Sequence, residues 1–343
     1  MLHDIVEKRK LPKLKTRDEM LEILQREEYG FMPPKPESVT FIEKHNVIPN
    51  FCAGKAVCNK IIAQAVVNGK EFCFPFYAVM PFGSTKHSFF VHINFSNNIT
   101  DIYQPTEELV DSGFAVLCFD YRDVTSDNND MTSGLSGVLY PEGKRSPTDA
   151  GKIAMWAWAA QRVLDYAYTR SDCLDLENAV VCGHSRLGKT ALLAAATDER
   201  FKFAYSNNSG SSGASISRGK TGETVELISR VFPFWFCENY RKYADKEYEM
   251  PFDQHYLVAS IAPRCVLIGS ASKDDWSDPL GEMLTCIAAG DAFKNGFKFE
   301  NRPPQDNDCF FDGDIGYHMR KGLHYFSRQD WQRLVEFVNK HKN

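Results

Sequence analysis

The stretch 178–196, NAVVCGHSRLGKTALLAAA, decides the fold. Ala179 to Cys182 form an apolar run long enough for a buried strand. Gly183 follows at once, then His184, Ser185, Arg186, Leu187 and Gly188, and from Lys189 the residues are strong helix formers. Strand, sharp turn with a serine at its tip, then helix is the layout of a nucleophile elbow. The tight turn lifts the serine hydroxyl clear of the sheet. The helix that follows aims its free N–H groups at any oxyanion forming beside that hydroxyl. The usual spacing is G-x-S-x-G, and here the second glycine comes one place late, at Gly188. A serine that merely caps an ordinary strand-to-helix turn is the competing reading.

Outward from this stretch, strands and helices alternate. Val39 to Val47, Val57 to Val67 and Phe72 to Met80 read as antiparallel strands, and His87 to Phe95 as a buried one. Asn97 and Asn98 follow it, where a second oxyanion donor is expected. Gly113 to Tyr121 (GFAVLCFDY) is nearly continuous apolar strand, as in a parallel sheet covered on both faces. A polar loop runs from Arg122 to Ser146, and its length marks it as functional. Ile153, Trp156, Ala157, Ala160, Leu164 and Ala167 share one face of a helix over 149–167. Phe203 to Asn207 and Ala262 to Ser270 are further strands, and a helix from Asp330 to Asn339 closes the chain. Thr16 to Glu19 is a capping box, opening a helix that stops near Gly30. This pattern predicts an α/β-hydrolase fold, a three-layer sandwich with a mainly parallel central sheet. One domain covers 1–343, with an N-terminal helix and Pro-rich arm over 1–36 and an aromatic-rich insertion over 214–256 roofing the site.

Composition narrows the function. The 343 residues are 43% hydrophobic, enough for a full core. A formal charge of −5 argues against nucleic acid or an anionic membrane as partner. The basic stretch Lys8 to Lys15 reads as a solvated arm. No apolar run approaches the ~18 residues of a membrane span. The first residues, MLHDIVEKRKLPKLK, have no apolar core of a signal peptide. A cytoplasmic protein is therefore expected, with a secreted protein stripped of its leader as the alternative. The ten cysteines contain no C-x-x-C pair, so no zinc ribbon or redox dithiol is expected, and no metal site.

A serine nucleophile needs a base, and the base needs an acid; on this fold they follow in the order serine, acid, histidine. His255, His318, His324 and His341 come after Ser185. His341 is at the terminus, and His255 is set apart by a strand. His318 and His324 lie before the last helix, and His324, close to Gly322, is the better base. The acid belongs after the strand ending at Ser270, where ASKDDWSDP offers Asp274, Asp275 and Asp278.

Taken together, GHSRLGK at 183–189, SGSSG at 209–213, PFDQHYLVASIAPR at 251–264, DDWSDP at 274–279 and GLHYF at 322–326 resemble the glucuronoyl esterases, carbohydrate esterase family fifteen. The likeness runs from about residue 145 to the end, and more weakly through EEYGFMPP at 27–34 and DYRD at 120–123. It implies cleavage of esters between 4-O-methyl-glucuronic acid on xylan and lignin alcohols, through an acyl-enzyme and without a cofactor. On that resemblance Ser185 is the nucleophile, His324 the base, and Arg186 an oxyanion donor. Lys189 contacts sugar hydroxyls, Trp276 lines the sugar pocket, and Glu223 is a further hydroxyl contact. Three departures stand out. Many members carry a catalytic glutamate where this chain has Asn208, so the acid must come from 274–278; Asp274 fits the bacterial pattern best. Secreted fungal members pair cysteines where this chain has His184 and Tyr325. The family is mostly secreted, whereas no leader is read here. An acetyl esterase of sugars or xylan on the same fold is the rival enzyme. A catalytically silent carbohydrate-binding protein is the rival of another class.

Overall fold

The alternating stretches near the start of the chain pair as a meander. In the computed structural model, which describes every residue except Ser84 and Asn343, β1 (Ser38–Lys44), β2 (Ala56–Val67) and β3 (Lys70–Pro81) are antiparallel neighbours. Asn68 and Gly69, both at positive φ, make the two-residue turn between β2 and β3, as a tight hairpin demands. Then come β4 (His87–Asn94), β5 (Ala115–Asp120), β6 (Leu174–His184), β7 (Phe203–Asn207), β8 (Cys265–Ala271), β9 (Cys309–Phe310) and β10 (Ile315–Arg320). The sheet order is β1-β2-β3-β5-β4-β6-β7-β8-β10-β9. From β5 through β10 every neighbouring pair is parallel, and only the short β9 reverses.

Strand alternation divides the core in two. Phe89, Val91, Ile93, Ala179, Val181, Val266 and Ile268 face one side. There they meet helices Lys152–Tyr168 and Arg186–Thr197, through Trp156, Leu164 and Leu192 among others. Phe90, Val116, Val180, Cys182 and Leu267 face the other side, against Leu109 and against Trp331, Leu334, Phe337 and Val338 of helix Arg328–His341. Both faces are thus covered, which explains why the central strands read as unbroken apolar runs. The result is the α/β-hydrolase fold.

Several expectations need correction. The basic N-terminal stretch is not a free arm. Helix Leu2–Lys8 buries Leu2, and Arg9 donates to the Arg218 carbonyl at 2.8 Å. The loop over 122–146 contains a helix, Gly134–Leu139. The 214–256 segment holds helix Val225–Val231 and sends Tyr240, Phe252 and Tyr256 into the core, so only part of it faces the site. His255 lies in helix His255–Ala259, its Nε2 paired with the Pro12 carbonyl at 2.9 Å. His318 belongs to β10, not to a loop. Among the described residues, no helix is long and apolar enough to cross a membrane.

Candidate active site

The carboxyl ends of the parallel strands meet at one side of the sheet, where ligands bind in such folds. β6 ends at His184, and helix Arg186–Thr197 begins two residues later. Between them Ser185 sits at φ 56°, ψ −126°, a conformation that costs on the order of 1–3 kcal/mol for a residue with a side chain. Its N–H is anchored to the Asn207 carbonyl at 2.8 Å. The glycines explain the turn. A Cβ at Gly183 would lie 2.3 Å from the Leu187 carbonyl oxygen. A Cβ at Gly188 would meet Ser206 Oγ at 2.9 Å and Ser209 Cβ at 3.1 Å. The second glycine is therefore placed by contact with β7 and the loop after it, while Leu187 packs into the core.

His324 stands in the segment between β10 and helix Arg328–His341. Arg320 holds that segment: its Nη2 donates to the carbonyls of Leu323, at 2.8 Å, and Tyr325, and its Nε to Asp330 at 2.7 Å. His324 Nδ1 lies 2.7 Å from Asp274 Oδ2. The same oxygen accepts Asn208 Nδ2 at 2.8 Å, and Ser277 N reaches Oδ1 at 3.4 Å. Burial opposes ionisation of Asp274, but the hydrogen bond and charge of His324, then Ser277 and Asn208, outweigh it and hold the carboxyl below its ordinary range. The other two aspartates of the loop are otherwise engaged. Asp275 is exposed, and Asp278 caps helix Pro279–Ala289 by accepting Gly281 N at 3.0 Å. His318 is fully buried against Tyr205 Oη, 3.0 Å away, and burial pushes it down to about 3. It does not line the cavity that Ser185 and His324 share.

Ser185, Arg186, Lys189, Glu223, Trp276 and His324 line one cavity of about 210 Å³, with Phe232 and Trp235 as a wall and 208–210 and Ser277 as floor. Among the described residues no hydrogen bond joins Ser185 Oγ to His324, a contact that often tightens only with substrate. Lys189 is buried, and its Nζ donates to the carbonyls of Ser209 and Ser211, with Glu223 Oε2 3.8 Å away. Burial pulls its pKa down, against the opposing charge of Glu223. Trp276 is half exposed at the mouth. Asn97 and Asn98 do not line this cavity; Asn98 N turns to Ser96 Oγ at 3.0 Å. A larger groove of about 690 Å³ lies at the far end of helix Arg186–Thr197. Its arginines 17, 162 and 200 are paired with Glu199, Asp165 and Asp198, leaving little net charge to recognise a ligand.

Sequence reasoning missed three features. Asn208 is a partner of the acid. His184, buried and pushed down to about 3 by burial and then by His324, lies with its ring 4.5 Å from that of His324. Tyr103 stacks on His184 at 5.7 Å and meets Tyr325 at 5.4 Å, so an aromatic column connects His184 and Tyr325. All ten cysteines are free thiols. Phe232 and Trp235 had a visible signal in the FPFWF run; Tyr103 had none.

Comparison with known proteins agrees with this geometry. The family model for fungal glucuronyl esterases matches residues 64–295. A carbohydrate esterase of an unknown prokaryotic organism is 39% identical over 240 residues, 68% of this chain and 55% of that protein. The 4-O-methyl-glucuronoyl methylesterase of Podospora anserina is 28% identical over 287 residues, 80% of this chain and 54% of that protein. The chain thus spans a little over half the length of these curated relatives. Among solved structures, a glucuronoyl esterase from Solibacter usitatus superposes with a TM-score of 0.85 at 29% identity, covering 96% of this chain and 92% of that one. A promiscuous esterase of carbohydrate esterase family 15 from a marine bacterial metagenome gives 0.83 at 30%, covering 95% and 91%. Elbow, fold and family match agree: the chain belongs to the glucuronoyl esterases of carbohydrate esterase family 15.

Proposed function

We propose that this protein hydrolyses esters of glucuronic acid or its 4-O-methyl ether, including lignin–xylan type linkages, through an acyl-enzyme on Ser185. The observation that carries this reading is the Asp274–His324 pair beside Ser185, with His324 and Ser185 lining one cavity that also holds the buried Lys189–Glu223 pair. His324 takes the Ser185 proton as Oγ attacks the ester carbonyl, and later passes it to the departing alcohol. Asp274 fixes the Nδ1–H tautomer and stabilises the imidazolium. The N-terminal N–H groups of helix Arg186–Thr197 and the Arg186 guanidinium face the developing oxyanion. On the acyl side, Lys189 and Glu223 offer a donor and an acceptor to adjacent hydroxyls. An acetyl group offers neither group a hydroxyl and so forgoes the binding that a hydroxyl-bearing acyl group gains there. The curated relatives named 4-O-methyl-glucuronoyl methylesterases support the same substrate class.

The test compares methyl glucuronate with an acetylated sugar, using the wild type and Ser185→Ala. A clear kcat/KM preference for the glucuronate ester is expected, with Ser185→Ala lower by roughly 10⁴-fold or more while folded. Preference for the acetyl ester would promote a deacetylase, and near-normal activity in folded Ser185→Ala would end the serine mechanism. A wild type that a fluorophosphonate fails to label would point to a silent binding protein.

A further inference from the structure

The long loop after β5 carries Asp127 to the back of the site, where one carboxylate serves three donors from three parts of the chain. Its Oδ2 pairs with Arg186 Nη1, on the residue after the nucleophile, and accepts Tyr121 Oη at 2.7 Å. Its Oδ1 accepts the indole N–H of Trp235 at 2.7 Å. The Arg186 guanidinium also lies 4.7 Å from the Trp235 ring centroid, 5.6 Å from that of Phe232 and 5.8 Å from that of Phe95. Arg186 Nε is buried and has no partner among the described residues. An unmet, buried donor beside a nucleophile is unfavourable unless a substrate oxygen completes it. The loop itself is pinned from below. Lys152, fully buried on helix Lys152–Tyr168, donates to the Ser126 carbonyl at 2.6 Å, to Ser126 Oγ at 2.9 Å and to the Asp130 carbonyl at 2.6 Å. Asp127 thus sits between two residues of fixed backbone on one side and two cavity residues on the other.

We infer that Asp127 is a positioning residue: its carboxylate locks Arg186 in the orientation that serves the oxyanion, and the same group fixes Trp235 as the wall of the acyl pocket. The inference rests on the esterase reading above. An arginine side chain alone samples many rotamers, and a donor helps the transition state most when its orientation is settled beforehand. Asp127 is the one charged acceptor that the structure gives to Arg186 among the described residues. Because it binds Arg186 and Trp235 through different oxygens, it also links oxyanion stabilisation to the shape of the acyl pocket.

A double-mutant cycle on the full chain tests this. Asp127→Asn, Arg186→Ala and the double variant are compared by hydrolysis of methyl glucuronate. In parallel, the rate of Ser185 labelling by a fluorophosphonate is measured, since its phosphonyl oxygen occupies the oxyanion position whatever the acyl preference. Asp127→Asn should lower kcat and labelling rate about 10²-fold, the scale of one lost oxyanion donor. In labelling, which does not read the acyl pocket, the double variant should lie within about threefold of Arg186→Ala, because no oxyanion guanidinium remains to be positioned. Wild-type rates in Asp127→Asn, or labelling losses that multiply in the double variant, would overturn the inference. A wild type that is labelled but inert toward glucuronate esters would overturn the substrate reading alone, and the labelling cycle would still decide on Asp127. A wild type inert to both would overturn both. If Asp127→Asn fails to fold, Asp127→Glu keeps the charge but moves it by a methylene. It should cost at least about tenfold in kcat with KM nearly unchanged, and an unaltered kcat would overturn the proposal.

Discussion

Replacing Asp274 by asparagine removes one charge and little else. Oδ2 accepts both His324 Nδ1 and Asn208 Nδ2, so the amide oxygen of the new side chain can take the same place and keep both bonds. Its NH₂ then faces the Ser277 N–H, which reached Oδ1 at 3.4 Å. Geometry is nearly kept, while the field at the imidazolium is not. Two unit charges at 4 Å interact by about 4 kcal/mol at an effective dielectric of 20, or about 10³-fold in rate. The Asp274 side chain is only 3% exposed, but that of His324 is 40% exposed, so solvent screening lowers this figure. The expected loss in kcat is about 10²–10³-fold, with KM changed little and the melting temperature close to wild type. Steady-state kinetics on methyl glucuronate, with a thermal melt as control, measures it. A loss below about threefold in a folded variant would show that Asp274 does not stabilise the imidazolium, and a comparable loss in Asp275→Asn would move the role elsewhere.

Asn208→Glu should lower kcat in the wild-type background, because a second carboxylate would stand against Asp274; in Asp274→Asn it should recover part of the lost rate, and kinetics on the four proteins shows either pattern. Gly188→Ala should cost about 1–3 kcal/mol of stability, since the new Cβ meets Ser206 and Ser209, and should also lower kcat by disturbing the floor beside Asn208; denaturant melts that match wild type would refute this. Burial raises Glu28 to about 8, with Gln254 and Ser212 opposing the shift. Its folded pKa is above its unfolded one, so its contribution is fully present below the unfolded value and is lost as pH rises through about 8. Melting temperatures from about pH 5 to 8 should therefore fall in wild type and fall less in Glu28→Gln; parallel curves would count against it.

The legible parts of the fold were those set by local pattern. The strand at 113–121 reads as a nearly continuous apolar run because helices cover both faces, and those at 203–207 and 262–270 show shorter apolar segments. β10 escaped notice because His318 and Arg320 interrupt its apolar character; their burial is met by Tyr205, 113 residues earlier in the chain, and by Asp330 on the last helix. In the site, Ser185 was marked by strand, glycine and helix in succession, and His324 by its place before the last helix. Three aspartates in one loop could not be separated by spacing; capping of a helix by Asp278 and exposure of Asp275 are tertiary outcomes. Asp127 carries no local signature at all. Its meaning depends on a partner 59 residues further along the chain and another 108 residues further along.

The contact between Asn208 and Asp274 also bears on descent. The two residues follow neighbouring strands, β7 and β8, yet their side chains converge beside one histidine nitrogen. A lineage could therefore transfer the acid from one strand to the other by exchanging amide for carboxylate at two sites, with no backbone rearrangement and no shift of the base. Selection need only tolerate a brief stage with both acids or a weakened one.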